Sequence, residues 1–172
     1  LVAGKKGCCI LEGKNLKKRI VLMLFLSALG LGITGCGQDK ELDTFKTQIN
    51  DFCESISQLD TDINNIDATD NNASTELLGY LDTMDQEFKE LAYISFPEEF
   101  NYLEGLSDEA SEYMTKAASS YHKLYEEGAY SEQLEKYALE NYKRAYKRVQ
   151  IMLTYLQGKE PEDASIVTDS QS

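Results

Sequence analysis

His122 is the only histidine among 172 residues, and that count limits the chemistry available. A di-iron carboxylate centre in a helical bundle needs Glu-x-x-His pairs, but the residue three before His122 is Ser119. A zinc site also lacks ligands, because once the segment ending at Cys36 is set aside one His and one free Cys, Cys53, remain. His122 follows Tyr121 and precedes Glu126 by one helical turn, the setting of a boundary histidine beside a carboxylate. Asp60-Thr61-Asp62-Ile63-Asn64-Asn65 resembles the first half of a calcium loop. The full loop needs Gly at its sixth position and a bidentate Glu at its twelfth; Asn65 and Asn71 stand there. The stretch reads as a helix end and an Asx-rich turn, with a cation site within Asp60–Asp70 as the alternative. There is no Gly-x-Ser-x-Gly and no glycine-rich phosphate loop. These residues lead us to expect no enzyme, no metal centre and no cofactor-binding site.

Tyrosine is the other conspicuous residue type, with eleven copies, all after Cys36. Tyr113, Tyr121 and Tyr142 fall on apolar seams and read as core, with hydroxyls reaching the rim. Tyr130, Tyr137 and Tyr155 lie off the seam of the last helix. With Arg144, Arg148 and Ile151 they form a candidate partner surface, since Tyr and Arg are favoured at interface hot spots.

The elements that would position these residues are helical. Leu42, Phe45, Ile49, Phe52, Ile56, Leu59, Ile63 and Ile66 recur at spacings of three and four. That period predicts an amphipathic helix over about 40–67. Asp67 to Thr75 is rich in Asp, Asn, Ser and Thr, which compete with helix through local hydrogen bonds. Ser74 is the expected cap of a second helix, with Leu77, Leu81, Met84, Phe88 and Leu91 on its face, running to about Ile94. Pro97 opens a third, faced by Leu103, Leu106, Ala110, Tyr113, Ala117, Tyr121 and Leu124. Gly105 threatens a break there, with a restart capped by Ser107, and Gly128 is the expected stop. Ser131 caps a fourth helix with Leu134, Ala138, Tyr142, Ala145, Val149, Met152 and Leu156 inward, ended by Gly158 and Pro161. Cys53 reads as a small half-buried hydrophobe, with an intermolecular disulfide as the alternative. Four seams on short connections predict an all-α antiparallel up-down four-helix bundle over 40–158. The alternatives are a three-helix bundle, or a coiled-coil homodimer through the narrow stripe of the first helix. Residues 159–172 are polar and non-periodic and are expected to be a disordered tail.

Charge divides the chain at Cys36. The net charge is −13, yet residues 37–172 alone carry 11 cations and 29 acids, or −18. Such acidity argues against nucleic acid as a partner. The first 36 residues hold six cations and one acid. Lys17-Lys18-Arg19 precedes the uncharged run Ile20–Gly35, whose apolar part, about 12 residues, is shorter than the ~20 a membrane-crossing helix needs. A basic entry, a short apolar core and a small-residue exit describe a secretory signal peptide.

The exit, Ile33-Thr34-Gly35-Cys36, resembles the lipobox of bacterial prolipoproteins: aliphatic, small, Gly or Ala, then Cys. The resemblance implies a diacylglyceryl group on the Cys36 sulfur and cleavage between Gly35 and Cys36. It makes 16–35 the signal peptide and 36–39 a lipidated tether. Two acyl chains at ~0.8 kcal/mol per buried CH₂ give a stable anchor. Residues 1–15 fit the leader poorly and read as sequence upstream of a true start at Leu16, or else as an extended leader. Cys8 and Cys9 would leave with it, and Cys53 would be the one free thiol of the mature chain.

Gly37, Gln38 and Asp39 span about 10 Å at most, so the bundle would sit on the membrane rather than on a stalk. The up-down topology would put Asp60, Asp62, Asp67 and Asp70 at the far end. It would return Arg144, Lys147 and Arg148 toward the lipid, where they would either neutralise the acidic third helix or meet anionic head groups. The expectation is a lipid-anchored protein on the outer face of a bacterial cell membrane, Gram-positive favoured, that binds or scaffolds an envelope protein. A small-ligand sensor or accessory subunit of an envelope complex is the second reading.

Overall fold

A computed structural model describes residues 40–126 and 131–161. Residues 1–39, which hold the expected signal peptide 16–35, Cys36 and the expected tether, lie outside the described residues, as do Gly128, Tyr130 and 162–172. Within them the chain is all-helical, with four α-helices: α1 Lys40–Asn65, α2 Ala73–Ala92, α3 Glu104–Tyr125 and α4 Glu132–Leu156. A 3₁₀ segment, Glu98–Leu103, leads into α3. No described helix is long and apolar enough to cross a membrane.

The apolar spacing accounts for α1. Phe45, Ile49, Phe52, Ile56, Leu59 and Ile63 are buried along one face, and the seam's ends, Leu42 and Ile66, are partly buried. At 26 residues the helix is about 39 Å long. Its seam is covered by the chain's own helices, so the stripe that suggested a coiled coil is used within one chain. Cys53 is more deeply buried than half, and burial pushes its thiol up to about 11. A thiol held so far from its thiolate is a poor nucleophile.

The Asx-rich turn forms as expected. Asp67 Oδ1 accepts from the Thr69 amide and hydroxyl, and Asp70 Oδ1 accepts from the Asn72 amide. These bonds replace helical ones and separate α1 from α2. The start of α2 differs from the Ser74 cap: the helix begins at Ala73, and Asn72 precedes it without a side-chain cap bond. Asp70 already holds the Asn72 amide, so the turn itself delivers the chain into the helix.

The third segment departs further. Pro97 has extended ψ and is followed by 3₁₀ rather than α-helix. Three residues per turn put Phe100 and Leu103 on one side, where Phe100 is partly buried and Leu103 fully so. The break therefore falls before Gly105, not at it. Ser107 lies inside α3, and its hydroxyl donates to the Glu104 carbonyl instead of capping. Helix α4 follows the sequence closely: Ser131 Oγ accepts from the Leu134 amide, a cap worth about 1 kcal/mol. Its exit is a Schellman turn. Gly158 sits at φ 69°, its amide donating to Tyr155 and the Lys159 amide to Thr154.

One core joins all four helices. Phe88 of α2 lies edge-on to Phe52 of α1 at 5.3 Å between ring centres, and tilted against Tyr146 of α4 at 5.7 Å. At another level Phe45 packs on Phe96 at 5.0 Å and on Phe100 at 5.7 Å.

Candidate functional site

Among the described residues, three polar constellations between helices stand out. The most enclosed joins α1 to α4. Tyr142 and Tyr146 are one turn apart on α4, and both hydroxyls donate to Asp60 Oδ1, at 2.6 and 2.9 Å. The two hydroxyls are 3.3 Å apart, and Tyr146 Oη lies 3.4 Å from the Met84 sulfur. Both tyrosines are buried, Tyr146 almost completely. Burial raises the Asp60 carboxyl above its ordinary range, and the two tyrosine hydrogen bonds only partly oppose this. Burial also pushes both phenols well above their usual value, with the Asp60 charge adding to the effect. These phenols are proton donors to a carboxylate, not bases.

Asp60 lies in the last turns of α1 rather than in a loop, half-buried and facing α4 through the two tyrosine hydroxyls. Among the described residues no three His, Cys, Asp or Glu side chains are grouped to hold a metal.

The second constellation joins α3 to α4. Arg148 Nε donates to Glu109 Oε2, and the Arg148 side chain is buried. The Arg144 and Arg148 guanidinium groups lie 5.7 and 5.6 Å from the Tyr113 ring centre, with Lys116 Nζ at 5.3 Å. Arg148 thus neutralises an acid of α3, the first of the two roles anticipated for the cations of α4, while Arg144 lies over the Tyr113 ring. For Arg148 that role excludes membership of an exposed partner stripe, as does burial for Ile151. Arg144 and Tyr137 are exposed, and Tyr155 packs edge-on to Tyr102 at 5.9 Å. The five residues Tyr130, Tyr137, Arg144, Arg148 and Tyr155 are therefore not one described surface: Tyr130 lies outside the described residues and Arg148 is inside the protein.

The third constellation joins α2 to α3. His122 Nε2 is 2.8 Å from Asp82 Oδ1 and its Nδ1 is 2.8 Å from Glu126 Oε2. Nearby, Asp85 accepts from Thr115 at 2.6 Å and from Lys89 at 2.6 Å. The carboxylate after His122 was legible as a neighbour; Asp82, forty residues away, was not. The hydrogen bonds to Glu126 and then Asp82 hold the imidazole above its usual 6.5. A raised His value means that the folded protein keeps the proton longer than the unfolded chain. The contribution is fully present below about pH 6.5 and is lost as pH rises through the higher folded value. Urea titrations across this range should show wild type losing its advantage over His122→Gln as pH rises. A pH-independent difference between them would contradict the ionic role.

A shallow groove of about 360 Å³ runs between α1 and α2. Phe52, Leu91 and Ile94 form its floor, and Asp51, Glu87 and Glu90 edge it.

Comparison with known proteins finds no family model, no curated protein and no solved structure that matches this chain.

Proposed function

We propose that the protein is a bacterial lipoprotein whose helical domain binds or scaffolds another envelope protein without catalysing a reaction. The single observation that carries the reading is the order Ile33-Thr34-Gly35-Cys36, behind a basic patch and a short apolar run and four residues ahead of Lys40. A diacylglyceryl group on Cys36 holds the domain at the outer face of the cell membrane, Gram-positive favoured.

The domain is an antiparallel up-down bundle in this reading. Its support is the ordering of cross-helix pairs. Phe45 meets Phe96 while Phe52 meets Phe88. Asp82 meets His122 while Asp85 meets Thr115. Tyr102 meets Tyr155 while Glu109 meets Arg148. In each case one number rises as the other falls. The buried polar groups join helix to helix, a use that favours a rigid binding module over a reaction centre. The groove between α1 and α2 favours a second reading, a sensor or accessory subunit that takes a small ligand there.

Labelling of cells with a radioactive fatty acid tests the anchor. Wild type should carry the label and Cys36→Ser should carry none, with the protein released from the membrane fraction. Equal labelling of the two would remove the basis for the location and for the role.

A further inference from the structure

We propose that the end of the bundle where α1 begins is a membrane seat, with Tyr93 and Tyr102 entering the headgroup layer of the bilayer that anchors the protein. The inference rests on the anchored reading above and adds a protein surface to it.

Three large apolar side chains are conspicuously exposed among the described residues: Tyr93 at 86%, Tyr102 at 63% and Tyr137 at 50%. The two most exposed belong to the connection between α2 and α3. That connection lies beside the start of α1, because Phe96 and Phe100 both pack on Phe45, five residues into the helix. The end of α4 reaches the same place, since Tyr155 packs edge-on to Tyr102. Phe100 and Tyr155 on the same end are partly buried against the core, and Tyr155 ties the Tyr102 ring to it.

A tyrosine suits the zone between water and acyl chains, since its ring is apolar and its hydroxyl is polar; Tyr and Trp gather at membrane interfaces for this reason. The length of the tether selects the bilayer as occupant. Three residues separate Cys36 from α1 and reach about 10 Å at most. An acylated Cys36 therefore brings the start of α1, and the connection packed on it, to the headgroups. Glu98 and Glu99 are exposed on the same connection, so the seat suits zwitterionic lipid rather than an anionic surface.

The chain contains no tryptophan, so one Tyr→Trp substitution makes a site-specific fluorophore. Lipid-modified protein carrying Tyr93→Trp, Tyr102→Trp or Tyr137→Trp would be placed in phosphatidylcholine vesicles with plain or brominated acyl chains. Mass spectrometry would verify the acyl group, and circular dichroism the fold. Both connection variants should shift to the blue in vesicles and lose most of their emission to brominated lipid, whereas Tyr137→Trp should do neither. If one connection variant folds poorly, the other carries the test. Acylated protein whose connection variants are unquenched would overturn the seat and leave the anchor standing. Quenching at all three sites would overturn it in favour of a bundle lying on its side. A blue shift in detergent that grows with protein concentration would assign the face to a second copy. Protein without an acyl group would remove the anchored reading and the seat with it.

Discussion

Replacing Phe88 by Ala should lower the unfolding free energy by about 3–5 kcal/mol, the range for removing a fully enclosed aromatic side chain. Phe88 has no exposed surface and lies between Phe52 of α1 and Tyr146 of α4. Its loss would open a cavity that three helices share. Those helices are long and ridged with large side chains, so collapse would require α1 or α4 to shift as a body. Collapse is what keeps such costs low at forgiving sites, and this site resists it. Urea unfolding followed by far-UV circular dichroism would read the change as a lower midpoint at unchanged slope. Tyr137→Ala is the control: half-exposed and outside the core, it should stay within about 0.5 kcal/mol of the parent. If the two variants unfolded together, the placement of Phe88 between α1 and α4 would be wrong.

Periodicity carried the reading of the helices because burial of one face is a local property of each. The seam of α1 is legible residue by residue, and the cap at Ser131 and the turn at Gly158 are legible because short-range geometry decides them. The 3₁₀ segment was hidden for a different reason. Phe100 and Leu103 share a side in either helix type, and only the packing of Phe100 on Phe45 distinguishes them. The polar constellations were hidden because each joins residues distant in sequence. Arg148 reads as a surface cation until Glu109 is found beside it on α3. Tyr146 lies one place beyond Ala145 of the expected seam, and Asp60 one place beyond Leu59. Each position looks like a flank of its own helix, and a seam does not specify how two helices are rotated against each other. The pattern did hold one signal, the pair Tyr142 and Tyr146 at i and i+4, which widens the inward face of α4.

Asp60 provides the sharper test, because two substitutions there should act in opposite directions. Asp60→Ala removes the acceptor for Tyr142 and Tyr146. Tyr142 can still donate to Tyr146, but Tyr146 is then left with only the weak Met84 sulfur acceptor, so the loss should cost about 1–3 kcal/mol. Asp60→Asn keeps the oxygen and removes the charge. The folded carboxyl is held above an ordinary 3.8, mainly by burial, so the folded protein binds this proton more tightly than the unfolded chain. By linkage, the ionised group opposes folding above the folded value, and that opposition fades as pH falls toward the unfolded value. Asp60→Asn should therefore match wild type in acid, gain on it as pH rises through the folded value, and hold a constant lead above that. Asp60→Ala should be the least stable of the three at neutral pH. Urea midpoints from acid to neutral pH would measure both. Were Asp60→Ala as stable as Asp60→Asn, the tyrosine bonds would contribute nothing. Were the lead of Asp60→Asn absent at neutral pH, burial would not be what governs this carboxyl. The expected ordering would make the pair of tyrosines the reason an acid can face the core, with α1 held against α4 by an acceptor whose charge the fold tolerates rather than needs.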